Sequence, residues 1–358
     1  FFSFPASLGF AKIFGKKLRQ AVGVSLLVPF MDKKSQAYLV DDATCGVHTI
    51  DLGGSTWHVD RVFLGALTYA LRPTPWLRLG LNVGVAVRDI SAASLTNFVL
   101  RHDGNDDTIS VTYNEMQMTA WSLYAQIGAI AEPLPGFRVG LSITTPYVGL
   151  TAKGRLDTIE TLRDPTDPSL PGTGTSTISI LDDANFHWKV PLAFGLGIAY
   201  EQRKHVAFAL DVKLHLPVAP HAAITHPTLP ASEDFNVERR IVVNVNAGAE
   251  VYVWRDRLAL RAGFFTNFSS NPKPDDEALL DGEEQTNLFG GTLGGAFWTN
   301  KASVITFALQ VMYGRGDRAQ LHILPAAQTT TPLSFDYQVA KASDLSVMLS
   351  VGGAVELD

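Results

Sequence analysis

Residues 206–216 read Val206-Ala207-Phe208-Ala209-Leu210-Asp211-Val212-Lys213-Leu214-His215-Leu216. Successive side chains of a strand point to opposite faces. Val206, Phe208, Leu210, Val212, Leu214 and Leu216 therefore share one face, and Ala207, Ala209, Asp211, Lys213 and His215 share the other. A soluble sandwich turns the apolar face inward and the polar face to water. A transmembrane barrel turns the apolar face to lipid and keeps the polar one for its lumen. Recurrence of the pattern decides between the two.

It recurs at 77–88, where Leu77, Leu79, Leu81, Val83, Val85 and Val87 oppose Arg78, Gly80, Asn82, Gly84, Ala86 and Arg88. It recurs at 240–251, where Ile241, Val243, Val245, Ala247, Ala249 and Val251 oppose Arg240, Val242, Asn244, Asn246, Gly248 and Glu250. At 258–264, Leu258, Leu260, Ala262 and Phe264 oppose Ala259, Arg261 and Gly263. The second face is small and polar, with a charge on most strands. A sandwich core would have to bury those charges in pairs, at high desolvation cost. A water-filled bore accepts them.

Organisation along the chain agrees. Short polar turns at about 15–17, 73–75, 133–136, 202–204, 255–257 and 299–301 each join two strand-like runs. Longer polar connections at about 31–56, 91–115, 151–186, 217–238, 267–286 and 314–343 alternate with them. Short turns on one side and long connections on the other are the pattern of an outer-membrane barrel. Six hairpins supply twelve strands, and 345–357 supplies a thirteenth. Bacterial single-chain barrels carry even strand numbers, so the count predicts an N-terminal strand beyond this sequence, or a misjudged segment before Gly15. The chain starts at Phe1-Phe2-Ser3-Phe4 without Met or a signal peptide, and is expected to be a mature or truncated chain. The expected organisation is a single all-β transmembrane antiparallel barrel domain over 1–358.

Aromatic placement supports a membrane. Trp76, Trp254 and Trp298 lie beside short turns, and Trp57, Trp121 and Trp188 lie where long connections join strands. Trp57 and Tyr69, like Trp188 and Tyr200, are twelve residues apart. At ~3.3 Å per residue and ~40° tilt that separation spans roughly 30 Å, close to an outer-membrane apolar band. Both pairs are expected to mark the two interfaces on one strand face.

Composition sets the outer limits. Of 358 residues, 46% are hydrophobic and 18% charged, below the roughly 25% charge of soluble domains. No run approaches the ~18 apolar residues of a membrane helix. The net charge of −6 argues against a nucleic-acid partner. The single Cys45 excludes an internal disulfide and reads as a loop or wall thiol. No phosphate-binding loop, dinucleotide fingerprint, zinc-protease or nucleophile-elbow motif occurs, so no enzyme and no cofactor is predicted. Asp103, Asn105 and Asp107 have calcium-loop spacing, but Thr108 and Asn114 replace the required Gly and Glu. His221 and His226 read as solvated, and no metal site is assigned. Acidic residues 275–284 could hold cations that bridge lipopolysaccharide, which makes outer-membrane lipid and lipopolysaccharide the expected surroundings.

Three segments carry a family resemblance. Arg257-Leu258-Ala259-Leu260-Arg261-Ala262-Gly263-Phe264-Phe265 is followed by Asn271-Pro272-Lys273-Pro274-Asp275-Asp276. Val190-Pro191-Leu192-Ala193-Phe194-Gly195-Leu196-Gly197-Ile198-Ala199-Tyr200 and Val22-Gly23-Val24-Ser25-Leu26-Leu27-Val28-Pro29-Phe30 are the others. In texture and order they resemble the FadL-type outer-membrane transporters of long-chain fatty acids and other hydrophobic compounds. The resemblance implies a 14-stranded barrel of a Gram-negative outer membrane, with the family's N-terminal hatch and first strand absent from this sequence. It also implies passive uptake, with capture by external loops and lateral release through the wall near a kinked strand.

Gly23 and Pro29 are the candidate weak points of that strand, because Pro removes a ladder donor and Gly marks bends. Alternatively, Pro29 simply ends the strand. For ligand binding, the lumen face offers Arg88, Lys213 and His215 near the external mouth, then Arg78, Arg261 and Asp211. The cations Arg78, Arg88, Lys213 and Arg261 are expected to hold a carboxylate by charge-assisted hydrogen bonds, while His215 reads first as a group that hydrates the bore and second as a polar anchor for a ligand head group. The expected ligand is a fatty acid or another hydrophobic small molecule. Open alternatives are a general or substrate-selective porin and a structural subunit of a larger envelope complex.

Overall fold

A computed structural model describes residues 6–15, 19–45, 48–101, 107–163, 174–202, 205–227, 236–254, 257–274, 284–299, 303–323 and 335–355, some of them by backbone alone. These residues contain strands and no helix. Thirteen strands follow one antiparallel path. In sheet order they are β1 (Ala6–Phe14), β2 (Arg19–Cys45), β3 (His48–Thr74), β4 (Leu77–Arg101), β5 (Thr108–Leu134), β6 (Phe137–Thr144), β9 (Ala193–Gln202), β10 (Val206–His215), β14 (Val242–Trp254), β15 (Leu258–Asn267), β16 (Glu284–Trp298), β17 (Ser303–Ile323) and β18 (Phe335–Val355). All six expected hairpins form: β1/β2, β3/β4, β5/β6, β9/β10, β14/β15 and β16/β17.

The faces sort as the alternation predicts. Leu81, Leu210, Val243, Leu260 and Phe264 project as exposed apolar side chains. Arg78, Asn82 and Arg88 lie on the opposite face, where Arg78 and Arg88 bond to carboxylates and Asn82 bonds to Gln126. Main-chain groups are satisfied strand to strand, which is what lets strands cross hydrocarbon.

The predicted long connections are largely not loops. β2 and β3 each run 27 residues, and most of 31–56 and 91–115 is strand. At ~3.3 Å per residue and ~40° tilt, 27 residues rise roughly 70 Å, well beyond a ~25 Å apolar band. Ser91–Leu100 pairs residue for residue with Thr108–Gln117. Polar, β-branched stretches such as these form solvated hairpins as readily as loops, so polarity alone misplaced the strand ends. The same holds for much of 314–343, now in β17 and β18. The turn residues at 16–17, 203–204, 255–256 and 300–301, together with Asp103, Asn105, Asp275, Asp276, Glu277, Asp281 and Glu283, lie outside the described residues.

One sector departs from regular barrel geometry. Below it β5 pairs with β6, and above it β5 pairs with β7 (Val148–Arg163). β7 then pairs with β8 (Thr175–Phe186), and β8 with β12 (Ile224–Thr225). β11 (Val218–Ala222) and β13 (Asn236–Arg239) make a separate ribbon. Three successive wall strands are therefore interrupted, between β6 and β7, β8 and β9, and β10 and β11. Each interruption holds an X–Pro step: Thr145-Pro146, Val190-Pro191 and Leu216-Pro217. Proline has no ladder donor, so three at one level part the sheet.

Candidate functional site

The parted sector frames a cavity of about 550 Å³. Gly84 begins its construction on β4. A Cβ there would meet the Tyr124 ring at 2.7 Å, so only glycine lets that ring lie flat on the inner wall. Tyr124 stacks on Tyr147, with centroids 5.3 Å apart and planes at 23°. Tyr147 meets Trp188 edge-on at 5.2 Å and 77°, the preferred aromatic geometry. Tyr147 and Trp188 sit in the interrupted segments beside Pro146 and Pro191.

Trp188 corrects an expectation. Trp57 and Tyr69 share one unbroken strand and are both exposed, as an interface pair requires. Trp188 and Tyr200 do not share a strand, because 187–192 is irregular. The break turns Trp188 inward onto Tyr147, while Tyr200 stays exposed outside.

Above the aromatic trio lies a small apolar core built of Ile90 and Met118 from the wall with Ala184, Phe186, Ala223 and Ile224. The end of β8 and the start of β12 thus fold over the inner face. β8 belongs to the 151–186 stretch, which the sequence marked as a long polar connection. Its described end is folded, and residues 164–173 lie outside the described set.

Arg88 lies between core and trio. Its guanidinium grips Asp60 in two parallel bonds of 3.0 and 2.7 Å. It also lies 5.6 Å from the Trp188 ring and 5.9 Å from the Phe186 ring, within cation–π range. Asp60 is 6% exposed, so the pair is shielded. Arg239, on the external ribbon, is pushed down from the ordinary arginine range by its burial and then by the charge of Arg88.

The other lumen candidates fall at separate levels. Arg78 bonds to Glu132 at 2.8 Å, Glu132 approaches Arg138 at 3.9 Å, and Arg138 bonds to Glu201 at 2.8 Å. Arg261 pairs with Glu250 on the neighbouring strand. These pairs form a charged belt near the short-turn end. Asp211 borders a second cavity of about 530 Å³, together with Arg138, Glu250 and Arg261. Lys213 and His215 follow Asp211 on the same face of β10, pairing across the sheet with Gly195 and Ala193. The structure thus separates the six candidates: Arg88 above, Lys213 and His215 between, and Asp211, Arg78 and Arg261 below.

Arg88, Arg78 and Arg261, expected to hold a ligand carboxylate, each pair with a carboxylate of the chain itself. The sequence reading did not pair them with Asp60, Glu132 and Glu250, and it missed the aromatic trio. The three X–Pro steps were a legible signal for the trio's location.

Gly23 and Pro29 also differ from expectation. The ladder passes through Gly23 without interruption on both sides, pairing it with Ala11 and Thr68, so Gly23 does not weaken it. Pro29 does not end the strand, because β2 continues to Cys45. It lies in a bulge, where the β2–β3 register jumps between Leu27 and Phe30. Bulges re-aim a strand and accept proline.

No family model matches this sequence, and no curated protein matches it. Solved structures do. The toluene transporter TodX of P. putida matches with a TM-score of 0.52 at 11% identity, over 97% of this chain and 82% of that one. The toluene transporter TbuX of Ralstonia pickettii matches with a TM-score of 0.48 at 12% identity, over 97% and 80%. A FadL homologue of Pseudomonas aeruginosa matches with a TM-score of 0.43 at 12% identity, over 94% and 78%. The TodX likeness shows the fold: the antiparallel β-barrel architecture of that transporter.

Proposed function

We propose that the chain is a passive outer-membrane channel for hydrophobic small molecules. The observation that carries this reading is the aromatic-lined cavity at the external end of a bore whose opposite end is crossed by an ion-paired belt. An apolar solute gains by leaving water for Tyr147 and Trp188. It meets charge if it continues down the axis past Arg78, Glu132, Arg138 and Glu201. Support also comes from the fold, shared with a protein described as a toluene transporter.

In this reading the tall external hairpins collect the solute, the cavity holds it, and it leaves sideways into the bilayer. The Pro29 bulge is one proposed point of lateral release. The ligand class extends from fatty acids to aromatic hydrocarbons, and Lys213, the lumen cation without a carboxylate partner among the described residues, is the proposed anchor for an acid headgroup.

Uptake of radiolabelled toluene and oleate by cells with and without the protein tests the reading. Accelerated uptake of either supports it. A large, steady single-channel ion conductance without such uptake would instead identify a porin.

A further inference from the structure

The geometry points to a second binding site, low in the bore, that takes an organic ammonium ion with an apolar body. It lies in the cavity of about 530 Å³ on the inner face of β9, β10, β14 and β15. The inference goes beyond the uptake reading and does not depend on it, because binding to purified protein decides it.

Three inward-facing side chains share one row of the sheet. Asp211 on β10 pairs with Asn246 on β14, and Asn246 pairs with Phe265 on β15. All three border the cavity. Neither Asp211 nor Asn246 has a side-chain partner among the described residues.

Two glycines shape the row. Gly197 flanks Asp211 on β9, and Gly290 flanks Phe265 on β16. A Cβ on Gly197 would overlap the Asp211 carboxylate, and a Cβ on Gly290 would overlap the Phe265 ring. The carboxylate thus leans over β9 and the ring over β16, and the space above Asn246 stays open. The neighbouring row beneath is Ala209, Gly248 and Gly263, with no side chain larger than a methyl. Asp211 and Phe265 stand two strand spacings apart, roughly 10 Å. An ammonium bonded to Asp211 at ~2.8 Å leaves the rest of that span for an apolar body lying toward the Phe265 ring. The Asn246 amide oxygen between them can accept a further ammonium proton.

Charge decides the sign of the guest. Three carboxylates border the cavity (Asp211, Glu201, Glu250) against two guanidiniums (Arg138, Arg261), a net charge of −1. Arg138 holds Glu201 and Arg261 holds Glu250, so Asp211 is the carboxylate left over. Lys213, the next inward residue on β10, forms no ion pair with Asp211 and does not border the cavity. A cleft of one sign between low-dielectric walls concentrates the opposite ion, and an aromatic face attracts cations further.

Benzylammonium, a toluene ring carrying a charged group, is the probe. Calorimetric titration of the purified full-length protein in detergent at neutral pH should show it binding. Asp211→Asn should weaken that binding about tenfold, equivalent to about 1.4 kcal/mol, and Phe265→Leu should weaken it severalfold. Lys213→Gln should tighten it, because a like charge one row away is removed. Raised salt should weaken it in the wild type, a readout that needs no variant to fold.

Equal affinity in the wild type and Asp211→Asn, or binding by the wild type that ignores salt, overturns the site. Binding that occurs only in Lys213→Gln also overturns it, since Lys213 would then already neutralise Asp211. No benzylammonium binding to any form leaves Asp211 as a group that only hydrates the bore. Failure of toluene uptake, with benzylammonium bound through Asp211, overturns the uptake reading and leaves this site standing.

Discussion

At the scale of single residues, the central finding is that most lumen charges are already engaged. Asp60 and Arg88 form a shielded, two-bond pair. Removing one partner of such a pair strands the other, at about 3–5 kcal/mol for buried pairs. Arg88→Gln should therefore lower stability toward denaturant in lipid vesicles, while Arg88→Gln combined with Asp60→Asn should recover part of the loss. Equal, additive losses would show that the two groups are not coupled. Lys213→Gln, by contrast, should leave stability unchanged and weaken oleate binding measured by displacement of a fluorescent fatty acid. Unchanged binding would remove Lys213 as an anchor. On the outer face, Leu210 is exposed at the middle of β10. Leu210→Arg should cost about 2–4 kcal/mol in a bilayer, as arginine does at the midplane of a barrel. A wild-type unfolding curve for that variant would contradict lipid contact at Leu210.

At the scale of elements, strands do two jobs. Their lower halves make the wall, and the upper halves of β2–β5, β17 and β18 stand above it as paired ribbons. The β17–β18 ribbon is tied by Asp317, which is buried and receives Lys341 and Lys273. The hydrogen bond and charge of Lys341, with help from Lys273, hold the Asp317 carboxyl below its ordinary value of 3.8 despite burial. A depressed folded pKa gives stability that is complete above the unfolded value and is lost as pH falls through the folded one. Amide protection factors in 310–323 and 338–345, corrected for intrinsic exchange, should thus be constant from neutral pH down to about 4 and drop below that. Asp317→Asn should abolish the pH step. A step that persists in the variant would assign the effect to another group.

At the scale of the whole molecule, thirteen strands describe a wall with one parted sector, and charge and aromatic character divide along its axis. Apolar core and aromatic trio lie toward the external hairpins, and ion pairs lie toward the short turns. In the proposed uptake reading, this polarity serves capture at the external end and opposes axial passage of an uncharged solute. Tyr147→Ala with Trp188→Ala should raise the half-saturating concentration for toluene uptake, each lost ring contact contributing about 0.5–1.5 kcal/mol beyond its area. Uptake that saturates as in the wild type would exclude the trio from the path.

The sequence by itself determined the fold: the two-residue alternation, the six short turns and the resulting strand order are local or near-local signals. They survive because a one-residue slip would turn every apolar side chain from lipid to lumen. The outer-facing Leu81 and Leu210 were legible for the same reason. Three things were decided only by the tertiary structure. Strand ends were, because a polar β-branched run becomes ribbon or loop according to whether its partner run lies opposite. The state of Arg78, Arg88 and Arg261 was, because Glu132, Asp60 and Glu250 reach them only across neighbouring strands. The inward turn of Trp188 was, because alternation holds only along an unbroken ladder, and the break depends on three prolines meeting at one height.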